Sequence, residues 1–199
     1  MTEFEIEFCL SLSYPFFESS PAQATLPIAF GGLGICQATD IALVGFLSNV
    51  CATASTVQSL LQYSIHTHHS NEHWESAFNV WSQSFQSSMQ DFKIYQSRWD
   101  KVISEFKFQN LLQSADSTKE KAHLLAVSSK ISHDWLRAIP IASFGLKLDP
   151  MSLKISCAHW LGTTLCHNHR CICSKNVDSL GHHGLSCNKT KVTLVQERG

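Results

Sequence analysis

The chain has 199 residues, of which 44% are apolar and 16% are charged, and its formal net charge is -1 at pH 7. This apolar fraction is typical of a folded protein and excludes wholesale disorder. The near-zero charge excludes the strong basic excess of dedicated nucleic-acid-binding proteins, so any basic surface must be local.

The N-terminal segment, residues 1–22, contains Pro15 and a loop-like stretch at residues 18–21. We find no helical or strand periodicity in it and predict a poorly ordered leader. Its acidic start lacks the basic residues that open a secretory signal. No apolar run approaches the roughly 20 residues that span a bilayer, so we expect no membrane association. The eight cysteines are therefore expected in a reducing, intracellular compartment.

Residues 24–35 hold three glycines, Gly31, Gly32 and Gly34, among apolar residues. Glycine reaches positive φ without penalty, so the pattern predicts a tight turn. The spacing matches neither G-x-G-x-x-G nor a P-loop, which favours a packing turn over a phosphate site.

Several segments that follow have helical spacing. Thr39 and Asp40 are candidate N-caps for an apolar helix over 41–50 that should be buried, and a second helix is predicted over 56–65. Residues 71–89 place four aromatic residues on one face, and the same spacing continues from Ser97. These aromatic residues are Trp74, Phe78, Trp81 and Phe85.

Two helix boundaries have clear capping signals. Ser117 and Glu120 have capping-box spacing. Asp149, Pro150 and Gly162 predict a helix that begins after Asp149 and ends at Leu161. The fold class is therefore mainly α: an irregular helical bundle over 23–162, a small zinc-knuckle-like module over 163–188, and a flexible tail over 189–199.

Cysteines and histidines are concentrated at the C-terminal end. A tight cysteine pair, a loop and a His-x-x-x-Cys pair can close a tetrahedral zinc site, and Gly181 and Gly184 would let the backbone turn around the ion. The alternative is a run of free thiols in a frayed tail. The predicted zinc ligands are Cys171, Cys173, His183 and Cys187, with His169, Cys166 and His182 as alternates.

Catalytic interpretations find little support. No glutamate lies near the predicted zinc ligands to act as a general base, so the site is expected to be structural. Neither a G-x-S-x-G elbow nor a paired-carboxylate motif occurs. A histidine cluster between two predicted helices suggests a metal-dependent hydrolase, but its polar surroundings favour an ordinary surface loop. Its members are His66, His68, His69 and His73.

Two motifs in this order resemble non-LTR (LINE-like) retrotransposon reverse transcriptases, over residues 22–188. The element at 23–35, with its Leu-Pro and Gly-Gly-Leu-Gly, is similar to the segment near the end of the polymerase, beside its thumb. The element at 169–187 resembles the CCHC-like knuckle that follows. The resemblance implies a thumb- or connection-like helical body and a parent polyprotein that copies RNA into DNA.

The sequence departs from that pattern at three positions. The family would have basic residues at Cys36 and His182 and a glycine at Ser174. Serine at that position would strain the turn around the metal, and the lost basic residues weaken a grip on phosphate. Polymerase and endonuclease motifs are absent from the chain, so it resembles a non-catalytic fragment.

The expected function is zinc binding with weak, non-specific binding of RNA or DNA. Basic residues near the knuckle would contact phosphates: Arg170, Lys175, Lys189 and Lys191. A helical protein-interaction module that uses the aromatic face, or a translated relic with no selected function, are the alternatives. The parent element's life cycle suggests the nucleus, and the sequence leaves the oligomeric state open.

Overall fold

A computed structural model describes residues 21–61, 68–86 and 95–189 of the chain. This part is mainly helical, with a single two-stranded antiparallel sheet, which confirms the predicted fold class. The helices are α1 (Pro21–Thr25), α2 (Ala38–Leu61), α3 (His68–Phe85), α4 (Gln96–Ser114), α5 (Thr118–Val127), α6 (Asp134–Arg137), α7 (Pro150–Leu161) and α8 (His182–Ser186). The strands are β1 (His169–Arg170) and β2 (Asn176–Val177).

The predicted leader and tail lie almost entirely outside the described residues. Helix α1 begins at Pro21, so the last two residues of the predicted leader are helical. At the other end, Lys189 is the last described residue.

Helix α2 corrects two expectations. The helices predicted over 41–50 and 56–65 form one continuous element up to Leu61. Burial is confined to one face, with Val44 and Leu47 fully buried but Phe46 43% exposed, so the expectation of an all-round buried helix is wrong. Burial is limited because α2 packs mainly against α3 and α4 in the described chain.

By length and composition, one stretch of α2 is also sufficient to cross a membrane, contrary to the expectation from sequence. This stretch is Ala38–Val57, with a mean hydropathy of 1.4. A single such helix is weak evidence, because the core helix of a soluble protein passes the same test.

The aromatic face of α3 forms the larger hydrophobic core together with α2 and α4. Trp81 is fully buried and meets Trp99 edge-on, with ring centroids 4.9 Å apart. Trp74 stacks on Phe78 at 5.1 Å. Aromatic pairs of this kind contribute about 0.5–1.5 kcal/mol beyond the area they bury. The face is thus used for internal packing, and Trp81 is not accessible to a partner.

The glycine-rich turn packs between α1 and α7. The Trp160 indole N–H donates to the Gly32 carbonyl at 3.0 Å, and Gln23 donates to the carbonyls of Gly31 and Trp160. A Cβ atom at Gly32 would lie 1.8 Å from the Leu26 carbonyl oxygen, so only glycine fits there. The amide N–H groups of all three turn glycines donate to carbonyls of residues 26–28, and the turn therefore has a packing role.

Two predicted caps are present. The Ser117 side chain accepts from the Glu120 amide, and the Glu120 side chain accepts from the Ser117 amide, which completes the capping box. Asp149 caps α7, and Gly162 ends it with φ of 64°. The left-handed Gly162 turns the chain from the helical body into the C-terminal module.

Candidate metal centre

A short hairpin carries the first two predicted ligands. Strand β1 pairs with β2 so that Arg170 lies opposite Asn176. The Cys171 amide donates to the Lys175 carbonyl at 2.9 Å, and the Ser174 amide donates to the Cys171 carbonyl at 2.8 Å. This turn brings Cys171 and Cys173 to the end of the hairpin.

Helix α8 carries the other two ligands. Gly181, with φ of 70°, is its N-cap, and the Asp178 carboxylate accepts from the His182 amide at 2.9 Å. His183 lies in the first turn of the helix, and Cys187 follows its last residue with only 3% of its surface exposed. Gly184 lies inside the helix and has an ordinary helical role, unlike the turn predicted for it.

The four predicted ligands converge on one point. Their ligand atoms all lie within 4.8 Å of one another. The sulfurs of Cys171 and Cys187 are 3.6 Å apart, and the Cys173 sulfur lies 3.0 Å from Nε2 of His183. A tetrahedron with zinc–sulfur bonds of about 2.3 Å has sulfur–sulfur edges of about 3.8 Å. The cluster has the size of a metal-binding tetrahedron and could hold a metal ion.

Thiol crowding shifts the acidity of Cys171. The Cys173 amide favours its thiolate, but loss of hydration and the neighbouring Cys187 and Cys173 side chains outweigh that effect and raise the pKa of Cys171. The thiol of Cys171 therefore keeps its proton at neutral pH in the metal-free protein. Because thiolate is the form that binds metals, metal binding would release this proton.

The alternate ligands are directed elsewhere. The His169 ring contacts the His167 carbonyl at 2.8 Å, and the Cys166 sulfur lies 3.4 Å from the Asp178 carbonyl. Nδ1 of His182 lies 2.7 Å from Oδ2 of Asp178. None of the three belongs to the four-residue cluster in the described chain.

The predicted phosphate-contacting residues surround the cluster. Arg170, Lys175 and Lys189 are exposed, whereas Lys191 lies outside the described residues. Two large apolar side chains of the same module are also exposed, Ile172 by 78% and Leu185 by 66%.

The histidine cluster near α3 is described only in part. His66 lies outside the described residues, and His68 and His69 belong to α3 without described side chains. His73 is exposed on the same helix. The arrangement of these histidine side chains is therefore not described, and the hydrolase hypothesis stays untested.

The structure also brings together residues that sequence reasoning missed. A cavity of about 620 Å³ between the helical body and the module is lined by His123, His159 and His182, among others. The rings of His159 and His182 have centroids 5.7 Å apart. Burial and the nearby His182 lower the pKa of His159, so its ring is neutral at pH 7. His182 was expected only as an alternate zinc ligand, and no spacing pattern would have joined it to His123 and His159.

Comparisons with protein-family models, with curated proteins and with solved structures find no match for this chain.

Proposed function

We propose that residues 163–189 form a structural zinc-binding module in a non-catalytic fragment of a LINE-like reverse transcriptase polyprotein, which binds nucleic acid weakly. The observation that carries the proposal is the convergence of Cys171, Cys173, His183 and Cys187 within 4.8 Å. Three thiolates and an imidazole are a typical zinc donor set. Because all four positions are protein ligands, the ion would have a structural role and no open position for a substrate.

Zinc binding would supply most of the folding free energy of the module. Its secondary structure consists of two-residue strands and the five-residue helix α8. Among its residues, Val177 and Cys187 are the buried apolar ones in the described chain. A core of this size is too small to hold a fold, so the metal would order the hairpin and α8 together.

Charge supports weak nucleic-acid binding. Three basic residues, Arg170, Lys175 and Lys189, stand against one acidic residue, Asp178, in residues 163–189. A zinc ion held by three thiolates and a neutral histidine adds a further negative charge, so the loaded module has a formal net charge of about +1. This charge supports only a few salt-sensitive phosphate contacts. The exposed Ile172 and Leu185 add apolar surface for unstacked bases.

Turn geometry supports the proposed origin of the fragment. Ser174 has φ of 69°, in the left-handed region that favours glycine. This is the position at which the LINE-like pattern would have a glycine. A serine in a turn whose backbone conformation favours glycine is what we expect of a module that has diverged from such a pattern.

Fluorescence anisotropy with a labelled single-stranded RNA at several salt concentrations tests the nucleic-acid part. The zinc-loaded protein should bind with a dissociation constant of about 1 μM or weaker at physiological salt. Arg170→Ala and Lys175→Ala together should weaken binding and reduce the salt slope by about 0.7 per lost phosphate contact. Lys130→Ala, an exposed lysine of the helical body, is the matched control and should bind like the wild type. Salt-independent binding, or full binding by the double variant, would contradict the proposal.

An exposed apolar surface favours a protein-interaction module as a second candidate function. Between α6 and the first turn of α7, Ile139, Phe144 and Met151 are 71%, 75% and 64% exposed. Apolar side chains left this exposed are available to a partner. A mass in solution that rises with concentration in the wild type, and not in Phe144→Ser, would support this function. A strict monomer would count against self-association through this surface.

A further inference from the structure

Three histidine side chains from different helices line one cavity outside the proposed zinc site. The cavity lies between the helical body and the module, where α5 contributes His123, α7 contributes His159 and α8 contributes His182. Each of these three elements thus presents one imidazole to the same space. We propose that this cavity binds a divalent transition-metal ion through His159 and His182, with solvent completing its coordination, and that the ion clamps the module onto the helical body.

The distance between the two facing rings fits a shared ion. With metal–nitrogen bonds of about 2.0–2.1 Å, a ring centroid lies about 3.2 Å from the metal. Two such rings are then about 5.2 Å apart at a tetrahedral angle and about 6.4 Å apart when opposed. The observed separation of His159 and His182, 5.7 Å, falls between these limits.

His182 is oriented as metal-binding histidines usually are. Its Nδ1 lies 2.7 Å from Oδ2 of Asp178, so the carboxylate accepts a hydrogen bond from Nδ1–H and Nε2 is left as the ligand atom. The same carboxylate fixes the backbone of His182 through a bond from its amide. Nε2 of His123 lies 3.1 Å from the Trp160 carbonyl oxygen, so this third histidine is held in the cavity wall.

The charged side chains around the cavity have a small negative excess, which allows a cation to bind. Lys119 lines the cavity and opposes a cation. Glu120 lines it as well, and Asp178 bonds His182 at its edge, so two carboxylates offset that lysine. The donor set is all nitrogen, and imidazole suits nickel, copper and zinc. With two protein ligands, solvent would complete the coordination, and the ion should be held more weakly than zinc in the four-ligand cluster.

The test is an isothermal titration of Ni²⁺ into protein that already carries one equivalent of zinc. One Ni²⁺ per chain is expected for the wild type. His159→Ala should weaken that binding at least tenfold, and Asp178→Asn about tenfold, because it removes the carboxylate that orients His182. His167→Ala, an exposed histidine outside the cavity, is the matched control and should bind like the wild type.

Two results would overturn the proposal. The first is nickel binding by His159→Ala equal to that of the wild type, with its zinc content and circular dichroism unchanged. The second is loss of nickel binding in His68→Ala, which would assign the ion to the histidines near α3. Failure of the four-ligand zinc site is distinguishable, because it would appear as missing zinc before nickel is added.

Discussion

Ser174 combines a strained backbone with a position beside Cys173, one of the four clustered residues that could hold a metal ion. Its φ of 69° is costly for a residue with a Cβ atom, by about 1–2 kcal/mol. The strain is confined to the backbone of Ser174. The Ser174 amide still donates an ordinary hydrogen bond to the Cys171 carbonyl, which closes the hairpin turn. The cost therefore lowers the stability of the folded, metal-binding form of the module.

Ser174→Gly should accordingly increase zinc affinity. Removing about 1 kcal/mol of strain from the bound form corresponds to about fivefold tighter binding. Competition with a chromogenic chelator measures this change. Ser174→Ala also removes the hydroxyl but keeps the Cβ atom, so it should show no gain. Equal affinities for the glycine and alanine variants would contradict the strain argument.

Two of the three predicted helix starts were correct, whereas Thr39 and Asp40, the predicted N-caps of the helix over 41–50, lie inside the first turn of α2, which begins at Ala38. The starts of α5 and α7 could be located because Ser117, Glu120 and Asp149 act within one turn of their own helix. The break predicted between 50 and 56 was wrong, because continuity of α2 depends on packing against α3 and α4, which no local signal encodes. The four clustered Cys and His residues could also be predicted, because they lie within one short segment of the sequence. The cavity histidines could not, because they come from three separate elements.

The cap of α7 gives a pH-dependent contribution to stability. Asp149 accepts bonds from the Ser152 hydroxyl and from the Ser152 and Met151 amides, and these lower its pKa below the ordinary carboxyl value of 3.8. A carboxyl group with a lowered folded-state pKa stabilises the fold above its unfolded pKa. That contribution is lost as pH falls through the folded value.

Asp149→Asn keeps a capping side chain but cannot titrate, so its stability should fall less on acidification than that of the wild type. Urea unfolding midpoints at neutral pH and below the ordinary carboxyl pKa measure the difference. Zinc release in acid affects both proteins equally and cancels in the comparison. Parallel pH curves for the two proteins would show that Asp149 does not contribute in this way.

On the scale of the whole molecule, the helical body and the C-terminal module are held by different forces. The body has clusters of buried apolar residues, with Trp81 and Trp99 in the largest and Trp160 in another. The module has little apolar core, and it contains the four clustered side chains that could hold a metal ion. Stability of the body should therefore not depend on the metal.

Chelation of zinc should leave most of the helical structure in place. Of the eight described helices, only α8 lies in the module, so the far-ultraviolet circular dichroism should change little when a strong chelator is added. Tryptophan fluorescence of the body should be similarly preserved, and zinc added back should restore any lost signal. A cooperative collapse of helix on chelation would mean that the body depends on the metal.

Native mass spectrometry of the purified protein tests the central claim most directly, with Cys187→Ser and Cys36→Ser measured beside the wild type. Cys36 is exposed and lies outside the ligand cluster, so its variant controls for the loss of a thiol. One tightly held zinc ion in the wild type and in Cys36→Ser, and none in Cys187→Ser, is the predicted result. Absence of zinc from the wild type, or one zinc ion retained by Cys187→Ser, would contradict the assignment of the four-ligand site.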